Sequence, residues 1–110
     1  MYFNPQPKDY YLRDQGYLDW LKGQPPLILG RGDTVYHHIK LFGRGGTGIK
    51  PPDDDCIPIS DSIHQRIHNS KYGEKRVLLK EHRYTVEALR DLCDAYRRIY
   101  LREQDRKKNS

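Results

Sequence analysis

Residues 41–55 constrain the fold more than any other stretch, because they read LFGRGGTGIKPPDDD and contain four glycines and two prolines. Glycine disfavours regular structure through its conformational entropy, and proline removes a backbone hydrogen-bond donor, so we expect a long loop here. Long loops in compact domains are usually functional or disordered. The chain has 110 residues, enough for one domain with one modest core. The loop must therefore belong to that single domain.

Two short extended segments precede the loop. Residues 27–29 and 34–39 are separated by the Gly-containing turn 30–33, and this pattern predicts a β-hairpin. Upstream, apolar residues at helical spacing in 16–23 predict one or two helical turns. Residues 1–16 show no sustained period and are interpreted as an N-terminal arm.

Three further segments follow the loop. Residues 56–59 predict a short extended segment, and residues 60–73 predict a helix that begins near Ile63 after hydroxyl and carboxylate caps. Residues 76–82 fit either a short strand or a linker.

The most regular segment is 85–103, where apolar residues recur at three- and four-residue steps. This pattern predicts an amphipathic helix with Thr85 as its N-cap. Residues 104–110 then form a basic tail, which leaves a core of about 17–103. The side chains expected to pack against that core are Leu89, Leu92, Tyr96 and Ile99.

Four of the five histidines fall into two groups. His37 and His38 are adjacent on a predicted strand, so they point to opposite faces, and one can face a metal while the other faces a substrate. His64 and His68 are four residues apart on a predicted helix, so they share one face and can bind a single ion. Three imidazole ligands would leave coordination positions open, as catalytic metal sites require.

Charge and cysteine content narrow the function classes. The formal net charge is +5 and the pI is about 9.2, with basic residues concentrated in 97–108 and four aspartates in 53–61. This distribution fits a polyanion partner beside a site that tolerates carboxylates, such as a metal site, and equally a solvated helix end with a frayed tail. Cys56 and Cys93 form no CxxC pair, so a reducing cytoplasm is the expected location. No window is long and apolar enough to predict a membrane span, and we expect no membrane partner.

The order of these residues resembles a known family. The segments concerned are Tyr36-His37-His38-Ile39, Gly45-Gly46, Asp55-Cys56-Ile57-Pro58-Ile59, and the pair His64 and His68. This order is similar to the HNH endonuclease motif of the ββα-metal, or His-Me finger, nucleases, and most similar to small phage-type members. Many relatives carry two CxxC-type pairs that bind a structural zinc. The matching segments here, 26–29 and 60–63, contain no cysteine.

The resemblance implies an α+β fold, with a ββα-metal finger at 27–70 (β-hairpin, long Gly/Pro loop, helix) and a C-terminal amphipathic helix. It implies one HNH-type nuclease domain over 1–110 that hydrolyses DNA phosphodiester bonds. His38 is then the general base. Asp55 holds the middle position of the motif, with Asp53 or Asp54 as the alternatives if the register differs. The implied ligands of one divalent ion, Mg²⁺, Mn²⁺, Zn²⁺ or Ni²⁺, are His37, His64 and His68.

The expected partner is DNA, duplex, branched or single-stranded, and a homodimer is one arrangement left open. The expected phosphate contacts are Lys40, Arg44, Lys50, Arg97, Arg98 and Arg102. Three rival hypotheses remain at this stage. The chain is a catalytically inactive, metal-stabilised nucleic-acid-binding module, or a hydrolase of small phosphoesters, or its histidines are unrelated to one another.

Overall fold

The computed structural model describes residues 12–43 and 50–109. It is a small α+β fold with a two-stranded antiparallel sheet and several helices. The helices and strands are α1 (Gln15–Lys22), β1 (Thr34–His38), β2 (Cys56–Ser60), α2 (Asp61–Asn69) and α3 (Val86–Lys108). A 3₁₀ turn at Asp53–Asp55 precedes β2, and a π-helical segment at Lys75–Glu81 lies between α2 and α3.

The sheet joins β1 to β2 across the Gly-rich loop, in a register that runs from Thr34 opposite Ser60 to His38 opposite Cys56. The predicted hairpin of 27–29 with 34–39 is therefore wrong. Residues 27 and 28 instead lie along the other edge of β2, where Leu27 N donates to the Pro58 carbonyl at 2.8 Å and Ser60 N to the Ile28 carbonyl at 3.2 Å.

The physical reason is the burial of β2, which is complete along all five of its residues. Backbone groups of alternate residues in a strand point to opposite edges, so a buried strand needs hydrogen-bond partners on both. The strand β1 satisfies one edge, and residues 27–28 satisfy the other. Leu29, the last residue of the predicted hairpin's first segment, is 82% exposed.

Two apolar clusters cover the sheet. The larger one includes Ile57 and Ile59 of β2, Ile63 and Ile67 of α2, and Leu89 of α3. The smaller one is formed mainly by Tyr17, Leu18 and Leu21 of α1 with Cys56. The larger cluster fixes α2 against the strands, which brings its histidines to β1.

Helix α3 begins as predicted, with the Thr85 hydroxyl accepting from Ala88 N at 3.0 Å. It continues past residue 103 to Lys108. Leu89 is fully buried, but Ile99 is 44% exposed, so its prediction as a core residue is wrong. The distal part of α3 contacts α1 instead, where Trp20 Nε1 donates to Glu103 Oε2 at 2.6 Å.

Three smaller predictions need adjustment. Helix α2 begins at Asp61 and not near Ile63, because the hydroxyls of Ser60 and Ser62 accept from Gly30 N and Arg31 N, each at 2.8 Å. Residues 75–81 are π-helical and form neither a strand nor a linker. Helix α1 starts within the predicted arm 1–16, of which residues 1–11 lie outside the described part.

Among the described helices, none combines the length and apolarity that crossing a bilayer requires.

Candidate metal centre

The strand β1 places its two histidines on opposite faces, as predicted. The His37 ring lies beside α2, with its centroid 5.5 Å from that of His64 and 6.0 Å from that of His68. The His38 ring lies with Tyr36 on the other face, the two centroids 5.8 Å apart. Since neighbouring side chains in a strand alternate, these two imidazoles cannot have the same role.

Helix α2 brings His64 and His68 together, because residues four apart lie on one helix face. Their Nε2 atoms face each other at 2.9 Å. With His37 they form a cluster in which one potential ligand atom from each residue lies within 4.8 Å of the others. The three histidines predicted as metal ligands are therefore adjacent in the fold.

The chemistry of the donor set fits a divalent transition metal. Burial, together with the neighbouring imidazoles of His37 and His68, lowers the pKa of His64 from 6.5 to about 4. His64 is therefore neutral at physiological pH, as a ligand must be. Neutral imidazole nitrogens are ligands that suit divalent transition metals such as zinc and nickel.

Glu74 also belongs to this cluster. His37 Nε2 donates to Glu74 Oε2 at 2.6 Å, and Oε1 accepts from Lys40 N and Leu41 N, each at 3.0 Å. In neutral His37 this leaves the lone pair on Nδ1. A carboxylate that holds the second nitrogen of a ligating histidine fixes its tautomer and raises its basicity.

The turn after α2 explains how Glu74 reaches His37. A β-carbon at Gly73 would overlap the Ile67 carbonyl, so only glycine permits this close approach. Tyr72, just before it, has a left-handed backbone with φ 55°. The turn borders an open cavity of about 390 Å³, which is lined in part by His37, His68 and Glu74. The sequence prediction missed Glu74 because it is separated from its partners by 33 to 37 residues.

On the other face of β1, His38 Nε2 donates to Asp53 Oδ1 at 2.8 Å. Asp53 is 2% exposed, and its Oδ2 accepts from Asp14 N at 2.7 Å. Burial lowers the pKa of His38, and the charges of Lys50 and Arg13 add to this, whereas the hydrogen bond to Asp53 opposes it.

The aspartate that bonds to His38 is therefore Asp53, one of the two alternatives to Asp55 for the middle position of the motif. The Asp55 carbonyl instead accepts from Ile39 N at 2.8 Å, and its side chain is buried. Asp53 begins the 3₁₀ turn Asp53–Asp55, and its carboxylate lies beside β1.

The basic residues predicted to contact DNA have different surroundings. Arg97 is engaged within the fold, since its guanidinium bonds to Asp14 Oδ2 at 2.8 Å and to Asp54 Oδ1 at 3.0 Å. Lys40 lines the cavity beside His37. Arg44 lies outside the described residues. The other three are exposed: Lys50, Arg98 and Arg102.

Together, the two-stranded sheet and the histidine cluster define a small α+β protein with a candidate metal centre. Residues 1–88 match the model of a family described as "Protein of unknown function (DUF968)". Since the match covers well over half of the 110 residues, the chain belongs to the DUF968 family. No curated protein and no solved structure matches it.

Proposed function

We propose that this protein is a metal-dependent endonuclease that hydrolyses DNA phosphodiester bonds at a ββα-metal site of the HNH type. The supporting observation is the cluster of His37, His64 and His68, whose potential ligand atoms lie within 4.8 Å of one another. His37 lies on the first of two antiparallel strands, and His64 and His68 lie on the helix that directly follows the second strand, in the order that the HNH resemblance implies.

The three imidazoles would hold one divalent ion. When bound, such an ion supplies Lewis-acid polarisation of a phosphate oxygen and stabilisation of the leaving oxygen. Glu74 keeps His37 in one tautomer and orientation. Lys40, which lines the same cavity, can offer its ammonium group to a second phosphate.

His38 is the proposed general base. Asp53 accepts the Nε2–H of His38 and so orients the ring, which leaves Nδ1 to take a proton from an attacking water. Burial holds the pKa of His38 below its ordinary 6.5, so the ring is unprotonated and competent near neutral pH.

A second function is favoured by one observation. The side chain of His38 is 11% exposed and its Nε2 already bonds to Asp53, as a structural histidine would. On this hypothesis the chain is a catalytically inactive nucleic-acid-binding module that the metal centre stabilises. The two functions differ in whether His38 affects turnover.

A cleavage assay separates them. Supercoiled, linear, single-stranded and branched DNA are incubated with the protein and Mg²⁺, Mn²⁺, Zn²⁺ or Ni²⁺. His38→Ala should reduce cleavage by about 10²–10⁴-fold with metal and DNA affinity nearly unchanged. His82→Ala is the matched control, because His82 is exposed and outside the cluster. Undiminished cleavage by His38→Ala would show that another group is the base, and no cleavage by the wild type would favour the binding module.

A titration tests the metal centre separately. Isothermal titration with Zn²⁺ or Ni²⁺ should show one site in the wild type and in His82→Ala. His64→Ala should lose most of the affinity, because it removes one of three ligands. Equal affinities in His64→Ala and the wild type would contradict the site.

A further inference from the structure

A second cavity of about 410 Å³ lies beside the metal centre and is strongly basic. Its lining residues are Lys71, Tyr72, Lys75, Arg76 and Lys80. We call this surface the basic groove. Four cations and no carboxylate line it within the described part of the chain, and nothing in the proposed catalytic roles uses them.

The basic groove is continuous with the metal centre. Tyr72 and Lys75 line both cavities, so a ligand in the groove can extend directly towards His37 and His68. A polymer that reaches the metal centre from this side must therefore cross the four cations.

Tyr72 is an unusual residue for an exposed turn. Its side chain is 71% exposed, and its backbone has φ 55°, a conformation that bulky residues rarely adopt. Residues held in such conformations concentrate at functional sites. Packing of Gly73 against Ile67 holds the turn, and Lys71 Nζ lies 5.5 Å from the centre of the Tyr72 ring. The turn thus presents an exposed aromatic ring with a cation over one of its faces, which leaves the other face for stacking.

We propose that the basic groove binds single-stranded or locally unpaired DNA and directs it to the metal centre. The four cations contact phosphates, and an unpaired base stacks on Tyr72. Cationic grooves with aromatic stacking platforms are the general solution for binding single strands. The assignment of DNA rests on the proposed function, because a phosphodiesterase needs its polymer beside its metal.

The aromatic ring also favours nucleic acid over an acidic protein. Cations alone would suit either polyanion, but stacking on an exposed ring adds affinity for bases whatever their sequence. The groove should accordingly prefer single strands to duplex, whose bases are already stacked.

The charges are tested by fluorescence anisotropy with a labelled single-stranded oligothymidylate and a duplex, in EDTA to prevent cleavage. Lys71→Gln/Lys80→Gln should weaken binding and reduce the slope of log K against log salt by up to about 1.4 on the single strand, or 0.7 per contact. The control Lys22→Gln/Arg31→Gln removes the same charge from exposed positions outside the basic groove. Lys22 ends α1, and Arg31 lies beside the first turn of α2. Equal effects of the two double variants would overturn the proposal.

The aromatic platform is tested with Tyr72→Asn and Tyr72→Phe. Asparagine tolerates the left-handed backbone and keeps the turn, so loss of affinity reports loss of the ring. Tyr72→Asn should weaken single-strand binding at least about fivefold with little effect on duplex, and Tyr72→Phe should retain it. Wild-type affinity in Tyr72→Asn, or failure of the wild-type protein to bind either oligonucleotide, would refute the groove.

The outcome is distinguishable from that of the proposed function. If the groove variants bind normally while the wild type cleaves DNA and His38→Ala does not, the groove assignment fails and the nuclease stands. If the groove variants lose binding while the wild type never cleaves, the groove stands as the DNA site of a binding module.

Discussion

At the scale of single residues, Glu74 connects the turn after α2 to the end of β1. Its carboxylate accepts from the His37 ring and from two backbone N–H groups at the end of β1. The pairing of His64 and His68 and the opposite faces of His37 and His38 could be predicted from spacing, since the four-residue helical step and strand alternation are local rules. The choice of His37 as the third ligand came from the HNH resemblance. Glu74 and Asp53 could not be assigned in this way, because their contacts with histidine span 37 and 15 residues.

Replacing Glu74 with glutamine should weaken metal binding. An amide can still accept hydrogen bonds but carries no charge, so it makes His37 a less basic ligand. The affinity for Zn²⁺ should fall about 10–100-fold in isothermal titration. Glu87→Gln, which neutralises an exposed glutamate at the start of α3, should bind like the wild type. Unchanged affinity in Glu74→Gln would mean that Glu74 only fixes the turn.

The pKa of His64 predicts how the stability of the metal-free protein depends on pH. It is lowered from 6.5 to about 4 in the folded state. Between these values the unfolded state binds more protons, so the free energy of unfolding decreases as the pH falls from about 6.5 towards 4. The stability that the neutral His64 contributes to the folded state is fully present above pH 6.5. Thermal unfolding in EDTA should show a smaller decrease in Tm over this range for His64→Gln than for the wild type, and parallel curves would contradict the prediction.

At the scale of secondary-structure elements, predictability followed the range of the interactions. Helix α3 and its Thr85 cap were predicted because periodicity and capping are local. The strand that pairs with β1 was not predicted correctly, because the apolar run at 27–29 beside a Gly-containing turn has the pattern of a hairpin strand. The actual partner, β2, lies beyond the Gly-rich loop, and its selection depends on burial of both its edges.

Gly73 is the element-scale position most sensitive to substitution. Gly73→Ala would place a methyl group against the Ile67 backbone carbonyl, and backbone cannot move aside as a flexible side chain can. We expect a loss of about 1–3 kcal/mol in urea unfolding, together with weaker metal binding through displacement of Glu74. Gly23→Ala is the control, because its new β-carbon would come no closer than 3.4 Å to the Trp20 carbonyl. Equal stability of the two variants would refute this role of Gly73.

At the scale of the whole molecule, adjacent arginines on α3 separate stability from DNA binding. Arg97 joins α3 to the N-cap of α1 and to Asp54, and its guanidinium lies 4.9 Å from the centre of the Tyr17 ring. The paired Arg97 also lowers the pKa of Asp14, although partial burial acts in the opposite direction. Arg98, one residue later, is exposed.

Arg97→Gln should therefore lower the free energy of unfolding by about 1.5–3 kcal/mol, the range for hydrogen bonds to charged groups. At temperatures where the variant is folded, the salt dependence of its DNA binding should be unchanged, because Arg97 is committed to carboxylates. Arg98→Gln should leave the free energy of unfolding unchanged. It should reduce the slope of log K against log salt by up to about 0.9 on duplex DNA. Urea unfolding and anisotropy titrations measure the two quantities. A reduced slope in Arg97→Gln would show that this arginine leaves its carboxylates to bind phosphate, and unchanged slopes in both variants would leave α3 without a role in DNA binding at these positions.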